Sequence, residues 1–114
     1  MLGSAAPTSV TSEIAEVAGS VRAEARRQYL KIPQGIMAKV TPFSAWEPTE
    51  AMTQVVAGTN FFVKVRISAA SEPEEFIQLR IFRGLPHTGG EPTLVAMLRD
   101  AEAAGPVQYF EAAE

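Results

Sequence analysis

Few side chains in this sequence are able to do chemistry. His87 is the only histidine, and the chain has no cysteine to pair with it. It sits in Leu85-Pro86-His87-Thr88-Gly89-Gly90, a run whose proline and glycines read as a turn. A surface imidazole is therefore expected there, rather than a general base. Cradling a phosphate needs a glycine-rich loop ahead of a helix, and a resident metal needs histidines or carboxylates at ligand spacing; neither pattern occurs. Without a thiol there is no cysteine nucleophile, no disulfide and no thiolate metal site, which suits a reducing compartment. The expectation is no enzyme, no cofactor and no metal.

At 114 residues the chain has the length of one domain, residues 1–114. Folding a chain of this size buries roughly two-thirds of the surface exposed when unfolded, enough for one ordinary core. Ten Lys and Arg against thirteen Asp and Glu leave a net charge of −3. That mild acidity argues against nucleic acid as a partner and provides no basic footprint for a membrane surface. The start, Met1 to Pro7, lacks a basic region, and Pro7, Thr8 and Ser9 break its apolar content, so it does not read as a signal peptide. Nowhere do about eighteen apolar residues run together. A soluble, cytoplasmic, single-domain protein is expected.

Residues 1–10 carry no charged side chain and are rich in Ala, Ser, Thr and Pro, which predicts a flexible N-terminal arm. Thr11 or Ser12 can cap a helix, with Glu13 and Glu16 in its first turn and Arg22, Arg26 and Arg27 toward its end. Ile14, Val17, Ala18, Val21 and Ala25 recur at helical spacing. One amphipathic helix of about four turns, weakened by Gly19 and ending before Pro33, is the prediction. Residues 31–42, with Pro33, Gly35 and Pro42, read as an inserted connector.

Strand signals follow. Phe61, Val63, Val65 and Ile67 alternate with Phe62, Lys64, Arg66 and Ser68. After the polar run 68–75, Phe76 to Arg83 puts Ile77, Leu79 and Ile81 on one face, and the two strands should form a hairpin. A strand before them, within 43–56, must keep Pro48 at an edge or a bulge, because proline cannot donate to a ladder. Thr93 to Arg99 is a further strand, and Val107 to Phe110 can close the structure after Gly105-Pro106. The plan is α+β, with the helix covering one face of an antiparallel sheet. Trp46 reads either as an interface aromatic or, in preference, as packing against the helix or the connector.

Two connectors carry apolar residues where water is expected. Gln54-Val55-Val56-Ala57-Gly58 lies between two strands, and only Gly58, with Asn60 nearby, offers easy access to positive φ. Gly84-Leu85-Pro86-His87 again places a leucine and a proline in a loop. A buried strand end would explain the first run just as simply. In a meander, however, alternate turns share one end, so these two should be neighbours and form an apolar wedge.

Gln54-Val55-Val56-Ala57-Gly58, continuing Thr59-Asn60-Phe61-Phe62-Val63-Lys64-Val65, resembles the signature loop of the cystatin superfamily, most closely its stefin branch. Gly3 falls where that family keeps a glycine in its N-terminal arm, Leu85-Pro86-His87 resembles the second loop, and Val107-Gln108-Tyr109-Phe110 is similar to the stefin C-terminal end. Residues 31–42 and 68–75 are longer than the family pattern, in places where insertions are tolerated. The resemblance implies a cystatin-like fold: one long N-terminal α-helix wrapped by a four- to five-stranded antiparallel β-sheet. It also implies reversible, non-covalent inhibition of papain-like cysteine peptidases, the cathepsin group. The protease-binding residues would be Gly3, then Gln54, Val55, Val56, Ala57 and Gly58, then Leu85, Pro86 and His87. A monomer is expected, with strand exchange through the apolar loop giving a dimer as the alternative.

Two rival readings remain. One is a stefin-fold binding module, or an engineered scaffold, with a non-protease partner; the intact Gln54 to Gly58 run weighs against it, since a retargeted loop would be rewritten. The other is an enzyme such as a hot-dog thioesterase, which also sets a helix against an antiparallel sheet but would need an acid or base that is not evident here.

Overall fold

The computed structural model describes residues 4–31 and 43–112. The inserted connector, apart from Lys31, and Gly3 of the arm lie outside the described residues. In chain order the elements are β1 (Ala6–Thr8), α1 (Ser12–Ser20), α2 (Arg22–Leu30), β2 (Glu47–Val56), β3 (Gly58–Arg66), β4 (Phe76–Arg83) and β5 (Thr93–Arg99), with short 3-10 turns at Pro86–Thr88 and Asp100–Ala103. The strands form one antiparallel sheet in the order β1-β2-β3-β4-β5. This is the α+β, cystatin-like arrangement.

Thr11 is the helix cap, its Oγ1 accepting from the Ile14 N–H at 3.2 Å. The expected single helix is two. Val21, at φ −105 and ψ 8, separates them, and its N–H turns back to the Ala18 and Gly19 carbonyls. The cause is local: Gly19 and Ser20 are weak helix formers, and the Ser20 hydroxyl takes the Val17 carbonyl at 2.7 Å. Helical bonding resumes at once with Ala25 N–H to Val21 O at 2.8 Å. The apolar face survives the break, because Ile14, Val17, Ala18, Val21 and Ala25 are all buried in one core with Ala51, Phe61, Val63, Val65, Ile77, Leu79 and Ile81. Lys31 ends α2 in the left-handed region, φ 57. Trp46 packs partly buried against that core, beside the Phe43 ring and beneath the Arg22 guanidinium of α2.

β3 and β4 pair as the alternation requires, Phe61 opposite Ile81 and Val63 opposite Leu79. β2 starts at Glu47, and the ladder slips between Pro48 and Glu50, the bulge that proline demands. The arm is not wholly without structure: Ala6–Thr8 pairs with Ala51–Thr53 as a short edge strand. Backbone hydrogen bonding to a sheet edge orders these residues although they bury little side chain.

The C-terminal end closes the structure without adding a strand. Val107–Phe110 is not a strand. It crosses the face of the sheet opposite the helices, where Gln78 Oε1 accepts from the Gln108 N–H at 3.1 Å and Glu50 Oε1 from the Val107 N–H at 3.1 Å. Arg80 donates to the Phe110 carbonyl at 2.8 Å, and the rings of Tyr109 and Phe110 pack on Phe62. Lys64 donates to the carbonyls of Ala104 and Gly105 at 3.1 and 2.8 Å. Phe62, Lys64 and Gln78 are consequently buried where alternation alone would place them in water.

Candidate functional site

The meander brings the β2–β3 turn and the β4–β5 loop to the same end of the sheet. In the first, Gln54 lies opposite Asn60, Val55 opposite Thr59 and Val56 opposite Gly58, which leaves Ala57 at the tip. Val55 is 69 % exposed, Ala57 is exposed, and Gln54 and Val56 are half-buried. The alternative of a buried strand end is therefore excluded. A reversal this tight needs a positive φ on its return side, which Gly58 supplies at +125.

The second loop leaves β4 at Gly84. Leu85 is extended and 42 % exposed, and Pro86 opens the 3-10 turn, which closes through the Gly89 N–H to the Pro86 carbonyl at 3.4 Å. Proline fixes φ and has no N–H to satisfy, so this turn is set before any partner arrives. Gly89 and Gly90, at φ 107 and 66, return the chain to β5. Pro86 and His87 are exposed.

The two loops touch. Gly58 and Thr59 share one shallow cleft with Gly84, Leu85, Pro86 and Gly89. Ala6 pairs with Thr53 and Thr8 with Ala51, so the N-terminal end of β1 lies toward this same end of β2. Of the nine sequence-derived site residues, eight are thus gathered at one pole and the ninth, Gly3, lies outside the described residues. Gly58 is placed differently from its neighbours: it is buried at the stem of the loop rather than forming part of its exposed tip.

Sequence reasoning missed Asn60. It is 6 % exposed, and its Nδ2 donates to Gln54 Oε1 at 2.9 Å, an amide pair that ties the two strands together below the tip. The signal was present: Gln54 and Asn60 stand three residues either side of Ala57, which makes them cross-strand partners in a tight hairpin. Arg83, at the end of β4, also belongs to this pole. It donates to Glu13 of α1 at 3.0 Å and lies over the Phe61 ring at 5.0 Å.

Groups with displaced pKa values lie away from this pole. Arg27 and Gln28 donate to Glu24 and hold its carboxyl below the usual range. The Ala69 N–H, followed by Ser44, does the same for Glu72. The Tyr29 hydroxyl is pushed up, first by donating to Glu75 and then by burial. Among the described residues no group of three or more histidines or carboxylates could hold a metal ion, and no helix is long and apolar enough to cross a membrane. The pole offers shape and apolar surface instead.

No protein-family model matches the chain. Curated relatives do. It is similar to Cystatin-B of Macaca fuscata fuscata, 33 % identical over 108 residues that span 92 % of this chain and 96 % of that protein. Cystatin-B of Paralichthys olivaceus is 29 % identical over 108 residues, 95 % of this chain and 96 % of the relative. Cystatin-B of Homo sapiens is 32 % identical over 84 residues, 74 % of this chain and 71 % of the relative. With an antiparallel sheet against the helices, two apolar loops at one pole and likeness along nearly its whole length, the chain belongs to the stefin branch of the cystatins, a family of cysteine-protease inhibitors.

Proposed function

We propose that the chain is a reversible, tight-binding, non-covalent inhibitor of papain-like cysteine peptidases of the cathepsin type, whose loop pole enters the active-site cleft as a wedge. The observation that carries this reading is the exposure of Val55 and Leu85 on neighbouring loops in a member of the stefin branch. Apolar side chains held out on thin, ordered loops match a concave apolar groove. In this reading Gln54 to Gly58 lies beside the catalytic cysteine, Leu85, Pro86 and His87 touch the primed side, and the arm near Gly3 runs along the non-primed side. The cytoplasm is the proposed site of action, with a monomer as the inhibiting form.

Inhibition of this kind needs no reaction. Gln54, Val55 and Val56 pair back on Asn60, Thr59 and Gly58, so the chain reverses at Ala57 instead of running on through the cleft as a substrate must. The wedge excludes substrate and water from the cysteine and is itself left uncut. Pro86 and the Gln54–Asn60 amide pair hold the loops in shape beforehand, which reduces the entropy lost on association. An interface of about 1,600 Å² and a dissociation constant in the nanomolar range or below are expected.

Titration of active papain and of a cathepsin with the purified chain tests the reading. Activity should fall to zero near one equivalent, return on dilution, and leave both chains intact and unlinked. Full peptidase activity in the presence of a large excess of the chain would overturn it.

A further inference from the structure

The burial of Gly58 is the feature that wedge insertion leaves unexplained. A glycine has no side chain to hide, so its burial means that other atoms cover its backbone. Those atoms belong to the end of β4 and to Gly84, the first residue of the second loop. A Cβ built on Gly58 would lie 2.5 Å from the Arg83 carbonyl oxygen, 3.0 Å from Gly84 Cα and 3.0 Å from Cε1 of Phe82. The first two are backbone atoms, which cannot swing aside as the end of a flexible side chain can.

Thr59 and Arg83 are the last paired residues of β3 and β4, so Gly58 meets Gly84 one step beyond the ladder. The second loop departs at that step: Leu85 follows directly, and Pro86 fixes the turn after it. The second loop is also held from behind, because Arg83 is tied to Glu13 at 3.0 Å and lies over the Phe61 ring at 5.0 Å. Backbone contact on one side and an anchored arginine on the other leave the direction of Leu85 little freedom.

We infer that Gly58 is a positioning residue: it acts on the peptidase through Leu85 and Pro86, by letting the second loop seat against the first. The two loops then meet the target as one rigid edge. This rests on the inhibitor reading above for its effect on affinity, while the seating of the loops is a property of the free protein.

The test is a double-mutant cycle of Gly58→Ala and Leu85→Ala, reading the papain dissociation constant, with amide chemical shifts recorded on the free variants. In the parent, Leu85→Ala should weaken binding by about tenfold, and in the Gly58→Ala background by no more than about twofold, because the displaced leucine contributes little there. Free Gly58→Ala should shift the amide signals of Leu85, His87 and Gly89 as well as those of its own loop. Fold-changes that simply multiply, or shifts confined to residues 54–60, would overturn the inference. Should Gly58→Ala fail to fold, Arg83→Gln removes the second restraint, the tie to Glu13 and Phe61, with Gly58 intact; if the seating of the second loop sets the reach of Leu85, its cycle with Leu85→Ala must show the same shrinkage. A parent chain that leaves papain active sinks the inhibitor reading alone, and the amide shifts still decide the seating of the loops.

Discussion

At the scale of single residues, the pole is built from unreactive side chains, so its mutational behaviour should follow shape. Val55 is exposed, and replacing it leaves the core untouched. Val55→Glu should therefore keep the parent's melting temperature while raising the papain dissociation constant about thirtyfold or more, the size of a lost central anchor. A change below about threefold in that titration would contradict the placement of the loop. A second residue-scale prediction concerns pH. Tyr29 donates its hydroxyl to Glu75, and this bond, ahead of burial, holds its pKa above the ordinary value of 10.0. Because the folded value exceeds the unfolded one, the contribution to stability is complete below about pH 10 and is lost as pH rises through the folded value. Denaturant melts between pH 8 and pH 11, on the order of one unit steps, should show the parent losing more stability than Tyr29→Phe at the alkaline end. Parallel curves for the two proteins would show that the bond contributes nothing.

At the scale of elements, periodicity read well wherever one face met one core. All five apolar positions assigned to the helix are buried, and Pro48 sits at the bulge its missing N–H requires. The split at Val21 was not legible, since Gly19 signals weakness without saying where hydrogen bonding will be interrupted. How Val107–Phe110 closes the structure was not legible for a related reason. Alternating apolar residues also suit a segment laid across a sheet, and its backbone partners are the side chains of Glu50, Gln78 and Arg80 instead of another strand. This crossing can be tested at Lys64. Lys64→Met keeps a flexible chain of similar length but withdraws the ammonium from the Ala104 and Gly105 carbonyls, from Glu50 at 3.8 Å and from the face of the Phe76 ring. It should cost about 1–3 kcal/mol of stability in a urea melt. Papain inhibition should stay unchanged, because the crossing lies on the sheet face and away from the loop pole. An unchanged melt would mean that water replaces the ammonium at no cost.

At the scale of the whole molecule, the topology gathers the loops and aims the arm. With Ala6 opposite Thr53 and Thr8 opposite Ala51, β1 begins at the end of β2 that carries Val55. Removing residues 1–3 should weaken papain binding chiefly by faster release, with the association rate nearly unchanged, because the arm adds its contacts after the loops have docked. Stopped-flow association and competitive dissociation measure the two rates separately. An unaltered release rate would remove the arm from the interface.

The sequence by itself determined the helix face, the hairpin strands and the identity of both apolar loops, because each is a local pattern of period or composition. It also placed the loops at one end, since a meander allows nothing else. Tertiary structure alone decided that Gly58 is covered by the Arg83 and Gly84 backbone and that Lys64 and Gln78 are buried under the C-terminal segment. It alone ordered Ala6–Thr8 on the edge of β2. The physical reason is common to all three: alternation tells which face a side chain occupies, whereas what lies on that face is settled by a segment distant in sequence, whose approach depends on the packing of the whole chain.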